Sequence, residues 1–219
     1  MKLKHYQKFL RKFGIRIANY ETTTTTCETF NTFQHFQFIS KLVQTTKGAF
    51  IECGFGMGKS FSAISYLAES SGREIYGFDT FEGFPRIESK DISLRNPKKG
   101  QWNVRTLKEA ERQIKSLGIS NLKFELIKGP VEVTIPAFTA KNYKLQIALL
   151  HIDLDLYSGY QIALEKFYPF LTSGSIICID DYNQAKWPGC QKAVDEFLAL
   201  HPNLKLSQSE FGKFYVIKD

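Results

Sequence analysis

Apolar positions along the chain follow two spacings, one typical of strands and one typical of helices. Short, nearly uninterrupted apolar runs suit the central strands of a parallel sheet, which are buried on both faces. Between these runs, apolar residues recur three and four places apart, as they do in helices. The pattern predicts an α/β fold: a doubly wound, mostly parallel seven-stranded sheet with a C-terminal antiparallel hairpin. The seven predicted strands are 49–52, 74–78, 122–127, 145–152, 175–181, 204–207 and 214–217.

The first 48 residues have a different pattern from the rest. Two stretches, 1–20 and 28–46, carry apolar residues at helical spacing and are separated by the threonine run 22–26. The first stretch is basic and could lie on a membrane or on a partner. Packing on its own domain or on a second subunit is the commoner use of such a helix. We expect an N-terminal helical cap over 1–48 and one compact unit over 49–219, with a homodimer as one way to bury the cap.

A glycine-rich turn, ECGFGMGKS, follows the first strand and leads into a helix. Its alternating glycines permit left-handed backbone and close approach of a ligand, and the helix start offers free N–H groups. The phosphate-binding loop would need glycine where Cys53 stands, and the dinucleotide fingerprint would need glycine where Lys59 stands. The remaining match is the E/DxGxGxG turn of S-adenosylmethionine (SAM) methyltransferases, with a tight turn that binds nothing as the alternative.

The second strand closes on Asp79, 27 positions beyond Glu52. In doubly wound nucleotide-binding folds an acid at this place accepts hydrogen bonds from ribose hydroxyls, although an aspartate at a strand end can also simply cap a turn. The stretch from Arg86 to Trp102 then carries five cations against two acids. We expect this stretch to be a lid that closes over a cofactor and touches an anionic part of a substrate. An exposed loop without such a role is the alternative.

Paired acids end two of the predicted strands. Asp153 and Asp155 follow the fourth apolar run, and we expect them on the same side because side chains alternate along a strand. Asp180 and Asp181 follow the fifth run. Ligands bind beyond the carboxyl ends of strands in open α/β sheets, and acids placed side by side there need a cation to neutralise them. The pattern therefore predicts a divalent-metal site.

Two neighbours of these acids have less specific signals. His151 lies two places before Asp153 and is either a catalytic base or, more commonly, a core histidine with satisfied nitrogens. Ser158 is predicted to cap a helix over 159–171.

Composition indicates the class of protein and its partners but does not identify the activity. The 219 residues suffice for one α/β domain, no apolar run approaches the ~20 residues that span a bilayer, and no signal-peptide pattern follows the basic N-terminus. The four cysteines lack metal or disulfide spacing, so we expect reduced thiols in a cytoplasmic protein. A net charge of +7 permits nucleic-acid binding, but the cations are scattered. We expect a small-molecule substrate, with neither nucleic acid nor a membrane as partner.

Four ordered motifs together resemble the macrocin O-methyltransferase family: ECGFGMGKS, YGFDTFEGFP, LHIDLDLY, and IDDY followed by WPGCQKAVDEF. The resemblance covers roughly 50–197 and implies a SAM- and Mg2+-dependent enzyme that methylates a hydroxyl of a sugar or a glycosylated small molecule. It implies Asp155 as general base and Asp153, Asp180 and Asp181 as Mg2+ ligands. The SAM site that it implies comprises Glu52, Gly54, Phe55, Gly56, Ser60, Asp79, Thr80, Phe81, Gly129, Val131 and Asp153.

The identity of the acceptor is a separate part of this interpretation. Tyr157, Tyr182 and Trp187 are candidates for stacking on a sugar ring, with core or rim packing as the alternative. Catechol and caffeoyl-CoA methyltransferases have a related acid arrangement, but their second site usually reads Asp-Asn rather than Asp180-Asp181. An RNA methyltransferase would have to bring phosphates against four acids. A non-catalytic SAM-binding module would not need the acid set.

Overall fold

The computed structural model describes residues 23–219, with side chains from residue 32 onward. The helix expected within 1–20 lies outside the described residues. The chain divides into two compact units, Met1–Asn31 and Thr32–Asp219, and the description below concerns the second. The division expected at residue 48 stays a prediction.

A seven-stranded sheet forms the centre of the second unit, in the order β3-β2-β1-β4-β5-β7-β6. The first five strands are parallel, and β7 and β6 add an antiparallel hairpin beside β5. The strand order runs outward in both directions from β1 and β4, so the topological switch point lies between these two strands. The predicted fold class is confirmed. The strands are β1 Ala49–Cys53, β2 Ile75–Asp79, β3 Phe124–Lys128, β4 Ile147–Ile152, β5 Leu171–Ile179, β6 Leu206–Gln208 and β7 Phe214–Ile217.

Helices connect the parallel strands. The helix before β3 begins at a capping box, in which Glu109 N donates to Thr106 Oγ1 at 3.3 Å and Thr106 N donates to Glu109 Oε2 at 2.9 Å. Short 3-10 turns span Ser89–Asp91 and Tyr168–Phe170. Numbered from the first described helix, the α-helices are α1 Thr23–Leu42, α2 Lys59–Ser70, α3 Leu107–Lys115, α4 Val131–Lys141, α5 Tyr157–Phe167 and α6 Pro188–Leu200.

Two apolar clusters cover the sheet. Side chains of α4, α5 and α6 pack with Ile51 and Leu150, whereas those of α1, α2 and α3 pack with Phe50 and Leu149. Because neighbouring residues of a strand point to opposite faces, the two clusters lie on opposite faces of the sheet. The strands are thus buried on both sides, as their uninterrupted apolar runs predicted.

Two local predictions were wrong, and one helix was missed. The threonine run does not interrupt a helix, because α1 begins at Thr23 and contains most of it. The helix expected over 159–171 spans Tyr157–Phe167, and Leu156 rather than Ser158 is its N-cap residue. Helix α4 was not predicted, although apolar residues stand four and three places apart at Val131, Ile135 and Phe138. No helix in the described part of the chain is long and apolar enough to cross a bilayer.

Candidate active site

A cavity of about 590 Å³ opens at the carboxyl ends of β1, β2, β4 and β5. This is the position that the switch-point rule assigns to ligands in such sheets. Its walls come from the glycine turn, from the acids after β4 and β5, from parts of the 80–102 stretch, and from the starts of α4, α5 and α6. One cavity therefore joins the two groups of residues that the sequence analysis singled out.

The glycine turn is shaped by its contact with the chain after β4. Gly54 has φ +96°, and a Cβ placed on it would lie 1.8 Å from the backbone oxygen of Asp153. Gly54 N also donates to Phe78 O at 2.7 Å, which fixes the turn against β2. Glycine is required here because a side chain would collide with the backbone that carries the acids.

Asp79 fastens the turn from the end of β2. Its Oδ2 accepts hydrogen bonds from Phe55 N at 2.7 Å and Gly56 N at 3.1 Å, and its Oδ1 accepts one from Phe81 N at 2.6 Å. The carboxylate thus holds both the glycine turn and its own turn. Asp79 also lines the cavity, so the capping and ligand-binding interpretations of this residue are compatible.

Three aspartates converge on the other side of the cavity. One carboxylate oxygen from each of Asp153, Asp155 and Asp181 lies within 4.8 Å of the others. We call these three residues the acid trio. Asp181 Oδ2 accepts hydrogen bonds from Asp155 N at 3.0 Å and from the Tyr160 hydroxyl at 2.9 Å. These two hydrogen bonds hold Asp181 next to Asp155.

The trio is assembled by a turn rather than by strand alternation. β4 ends at Ile152, so Asp153 and Asp155 both lie beyond the strand. Asp153 N donates to Cys53 O at 2.8 Å, and Asp155 has a left-handed backbone with φ +61°. A non-glycine residue in this region costs about 1–2 kcal/mol, which the surrounding contacts must offset. The expectation of proximity was sound, but its basis in a continuing strand was wrong.

The electrostatics of the trio favour a bound cation. Burial raises the pKa of Asp155 to about 9 and that of Asp181 to about 6, and neighbouring carboxylates add to both shifts. Burial and the charges of Asp180 and Asp181 raise the pKa of Asp153 as well. Like charges in a desolvated pocket resist ionisation until an opposite charge joins them. The oxygen donors of the trio are of the type that Mg2+ prefers.

Asp180 is held differently from its neighbour. Lys213 Nζ, just before β7, lies 2.5 Å from Asp180 Oδ1, and His151 Nε2 lies 3.9 Å from the same oxygen. Burial favours the neutral acid, but the interaction with His151 and the charge of Lys213 hold the pKa of Asp180 below its ordinary value. The structure thus gives this carboxylate cationic partners of its own, and its predicted role as a metal ligand stays a prediction.

Glu52 and His151 form a buried pair behind the cavity. The parallel register of β1 and β4 sets them side by side, and His151 Nδ1 lies 2.8 Å from Glu52 Oε1. Burial alone would lower the pKa of His151, but the interaction with Asp180 and the hydrogen bond with Glu52 raise it to about 9. Neither residue belongs to the cavity wall formed by the described residues. This favours the interpretation of His151 as a core histidine over that of a base.

The other predicted cofactor residues divide into two groups. Gly54, Phe55, Gly56, Ser60, Thr80 and Val131 line the cavity together with Asp79 and Asp153. Phe81 is 5% exposed and packs on Phe55 with ring centroids 5.8 Å apart, so it supports the wall from behind. Gly129 has φ +141° and forms the turn before α4, and its N–H donates to Asp79 O at 2.9 Å. Glu52, Phe81 and Gly129 therefore lie outside the described cavity wall.

Only Trp187 of the three predicted substrate residues lines the cavity. The Tyr157 hydroxyl donates to Glu196 Oε2 at 2.6 Å, and the Tyr182 hydroxyl donates to Asp195 Oδ1 at 2.6 Å. Both tyrosines are thus committed to α6, which agrees with the packing alternative for them.

The 86–102 stretch is anchored to the core at Asp91, which is 2% exposed. Asp91 Oδ1 accepts a hydrogen bond from Tyr157 N at 2.7 Å and its Oδ2 accepts one from Glu88 N at 2.9 Å. The first N–H of α5 therefore finds its acceptor 66 residues earlier in the chain, which is why Ser158 is not needed as a cap. Farther along, Ser93 Oγ donates to Lys186 O at 2.8 Å, so the stretch also contacts the loop before α6.

Several cavity residues were missed by the sequence analysis. Glu132 follows the turn at the start of α4, Trp102 ends the polar stretch, and Lys186 precedes Trp187. Glu132 Oε1 accepts a hydrogen bond from Ser158 Oγ at 3.0 Å, while its Oε2 is buried and has no hydrogen-bond partner among the described residues. No motif signals these residues, because each depends on which loops meet across the sheet.

Comparison with known proteins identifies the family. The sequence model of the family described as Macrocin-O-methyltransferase (TylF) matches residues 4–206. The chain is similar to mycinamicin III 3''-O-methyltransferase of Micromonospora griseorubida, with 29% identity over 139 residues, which are 59% of this chain and 50% of that protein. It is also similar to 8-demethyl-8-(2,3-dimethoxy-alpha-L-rhamnosyl)-tetracenomycin-C 4'-O-methyltransferase of Streptomyces olivaceus, with 23% identity over 71% of this chain and 60% of that protein.

The structure of CalS11, a calicheamicin methyltransferase, has the same fold. It superimposes with a TM-score of 0.75 and 26% sequence identity, covering 84% of this chain and 77% of that chain. The chain spans about half the length of the curated relatives that it matches.

Proposed function

The chain belongs to the macrocin O-methyltransferase family, and from this we propose that it transfers the methyl group of SAM to a hydroxyl of a sugar-bearing small molecule with the help of a divalent cation. The observation that carries the proposal is the one cavity that runs from the glycine turn to the acid trio. The names of the relatives, among them a methyltransferase of a rhamnosyl-tetracenomycin, support a sugar acceptor.

The glycine-turn side of the cavity fits SAM. The turn, Ser60 and Thr80 offer polar groups at the wall, and the unpartnered Glu132 Oε2 is an acceptor suited to the amino group of an adenine. We assign the role of fixing the turn to Asp79 and a supporting role to Glu52, which pairs with His151 behind the wall. When bound, SAM supplies an electrophilic methyl group on a cationic sulfur.

The acid trio fits a divalent cation, with Mg2+ as the first candidate. Its carboxylate oxygens lie close together and are hard donors. The pKa values of its three carboxyl groups are raised, and a bound cation would lower them again. Asp153 and Asp181 are the proposed ligands, with Asp180 beside them. A cation held there would supply positive charge that lowers the pKa of the acceptor hydroxyl.

Asp155 is the proposed general base. The acceptor oxygen must lose its proton as it gains the methyl group, and a carboxylate within hydrogen-bond reach can take that proton. Burial and Asp181 raise the pKa of Asp155, and the charge of Lys186 opposes them only in part, so ionisation of this carboxyl depends on a cation bound at the trio. The strained backbone at Asp155 fixes the direction of its carboxylate.

The remaining predictions follow from the same assignment. The 86–102 stretch excludes water from the cavity as a lid, since it contacts both α5 and the loop before α6. A phenol acceptor of the catechol or caffeoyl-CoA type is the alternative substrate, and a non-catalytic SAM-binding module is the alternative role. The homodimer and the cytoplasmic location stay predictions.

Calorimetric titration with S-adenosylhomocysteine, with and without Mg2+ and with NAD as control, tests the proposal. We expect binding of S-adenosylhomocysteine but not of NAD, and heat from Mg2+ titration that disappears in Asp181→Asn. Methyl transfer from labelled SAM to a panel of glycosides and to catechol then separates the two acceptor classes. Absence of S-adenosylhomocysteine binding would contradict the proposal at its first step.

A further inference from the structure

Helix α3 contacts the glycine turn through the side chain of Gln113. The amide Nε2 of this residue donates to Met57 O, Gly58 O and Ser62 Oγ, each at 3.2 Å. Gln113 is half-buried and does not belong to the cavity wall formed by the described residues, whereas Met57 and Gly58 do. The side chain therefore reaches the turn from outside the cavity.

The contact is close enough to require glycine at position 58. Gly58 has φ +71°, and a Cβ placed on it would lie 2.7 Å from Gln113 Nε2 and 2.6 Å from the Phe55 ring. Gly58 is also the N-cap residue of α2 and makes no side-chain cap hydrogen bond. Gln113, 55 residues farther along the chain, supplies a side-chain contact at this helix start instead.

These hydrogen bonds set the direction of the peptide groups in the turn. In a trans peptide the C=O and the N–H point to opposite sides, and the described part of the chain has no cis peptide. Gly58 O accepts from Gln113 Nε2 and from Ser62 N at 3.1 Å, so the Lys59 N–H of the same peptide points away from α3. The first N–H groups of a helix have no acceptor within the helix. Because Lys59 and Ser60 line the cavity, Gln113 holds the helix start with these donors on the cavity side.

The amide of Gln113 is not explained by packing. Its Oε1 is buried and has no hydrogen-bond partner among the described residues. A buried acceptor without a donor destabilises the folded chain, so an apolar side chain of the same length would suit the interior about as well. The two N–H groups of the amide, directed at the turn, are what such a side chain would lack.

We propose that Gln113 is a positioning residue for the cofactor, which holds the glycine turn in its binding conformation before SAM arrives and does not itself touch SAM. The inference rests on the proposed function, because it takes the turn to be the SAM site. A turn that adopts the binding conformation only part of the time has its affinity reduced by that fraction, and the reduction lies in the association rate. Loss of a direct contact lies mainly in the dissociation rate instead.

Surface plasmon resonance with S-adenosylhomocysteine on the immobilised full chain measures both rates. Gln113→Met keeps the length of the side chain and removes its donors. We expect its affinity to fall about 10-fold, almost entirely through a slower association. Gln113→Glu should weaken binding further, because a carboxylate would face the carbonyl oxygens of the turn. Lys108→Met, at an exposed position of the same helix, is the matched control and should change neither rate.

Two measurements without ligand separate positioning from a purely structural role. The Tm of Gln113→Met should stay within about 4 °C of that of the unchanged chain, because loss of the hydrogen bonds and removal of the unpaired oxygen offset each other. Hydrogen exchange of the Gly58 N–H, which donates to Phe55 O at 2.7 Å, should nevertheless become at least about 10-fold faster.

Three outcomes overturn the inference and leave the proposed function intact. They are an unchanged association rate in Gln113→Met, a loss of affinity that lies in the dissociation rate alone, and a large fall in Tm with unchanged binding. Should Gln113→Met fail to fold, the rates of Gln113→Glu, which keeps the shape of the side chain, decide the question in the same way. Failure of S-adenosylhomocysteine to bind the unchanged chain would instead contradict the proposed function.

Discussion

The two acidic edges of the cavity differ in how the protein treats their charge. At the end of β2, the carboxylate of Asp79 accepts hydrogen bonds from three backbone N–H groups. At the ends of β4 and β5, the acid trio shares few donors and its pKa values are raised by burial and mutual repulsion. A carboxylate supplied with several backbone donors holds structure in place, whereas carboxylates crowded together with fewer donors favour binding of a cation.

The pair Asp180 and Asp181 shows the same contrast between adjacent residues. Asp180 has Lys213 and His151 as partners and a lowered pKa, while Asp181 has the Tyr160 hydroxyl and a backbone N–H and a raised pKa. The chain therefore separates four neighbouring acids into one that is neutralised internally and three that are not. Substitutions on either side of this division should have distinct consequences.

Asp155→Asn should have the largest effect on activity, and it changes the acid trio without changing the glycine turn. Removing a general base typically costs about 10²–10⁴-fold in rate, so kcat should fall by about that much. Binding of S-adenosylhomocysteine should stay unchanged, because the glycine turn is not touched. Single-turnover kinetics and calorimetry measure the two quantities. Asp195→Asn, an exposed acid outside the cavity, is the control, and full activity of the Asp155 variant would show that another group is the base.

Gly54→Ala should damage both edges at once, because Gly54 is where they touch. A Cβ would meet the Asp153 backbone oxygen at 1.8 Å and the residue would keep a φ of +96°. Overpacking and left-handed strain together should lower the free energy of unfolding by about 3 kcal/mol or more.

Gly56→Ala is the matched variant for this test. Gly56 has φ +48° and nothing within 4 Å of an added Cβ, so it should lose only about 1 kcal/mol. Urea denaturation compares the two variants. Equal losses at both positions would mean that close approach to Asp153 is not what requires glycine at 54.

The sequence was sufficient to predict the features of the two acidic edges that depend on strand order. Apolar runs and their endings predicted seven strands, and the rule that ligands lie beyond strand ends then placed Asp79, Asp153 and Asp181 around one cavity. These inferences hold because parallel strands end at a common edge whatever the details of packing. The glycine pattern was informative for the same reason.

The sequence was insufficient where loops and long-range partners decide the outcome. Lys213 reaches Asp180 across 33 residues and Asp91 reaches Tyr157 N across 66, and neither contact has a local signal. The division between Asp180 and Asp181 therefore could not be foreseen from their adjacency. Glu52 was expected in the cofactor site, but the register with His151 turns it into a buried partner behind the wall.

The pH dependence of stability should reveal the charge left unpaired in the trio. Asp155 and Asp181 have pKa values of about 9 and about 6 in the folded chain, above the ordinary 3.8. The folded state then holds protons that the unfolded state has released, so without metal the free energy of unfolding should fall as pH rises from about 4 to about 9. Chemical denaturation at several pH values measures this slope.

Mg2+ should oppose that loss where the acids are ionised. At about ten times its Kd, a ligand that binds only the folded state stabilises it by about 1.4 kcal/mol, which corresponds to a rise in Tm of about 3–6 °C. The rise should be larger at pH 8.5 than at pH 5.5, because protons compete for the trio at low pH. Asp181→Asn should abolish it. A rise that is the same at both pH values would contradict binding at these acids.

Asp79→Asn should have the smallest of these effects. It tests the other acidic edge of the cavity, at the end of β2. A side-chain amide keeps one acceptor oxygen, so it cannot serve the N–H groups of Phe55, Gly56 and Phe81 together. Because Asp79 is only half-buried, water can replace part of what is lost, and the free energy of unfolding should fall by about 1 kcal/mol.

The same variant separates the functions of the two edges. S-adenosylhomocysteine should bind about 10-fold more weakly to Asp79→Asn, since the glycine turn is no longer held in one conformation. Mg2+ should bind as it does to the unchanged chain, because the acid trio keeps its geometry. Asp181→Asn should give the reverse result, with Mg2+ binding lost and S-adenosylhomocysteine binding kept. If each variant weakened both ligands equally, the two edges would form one coupled site and the contrast in their charge would have no separate functional meaning.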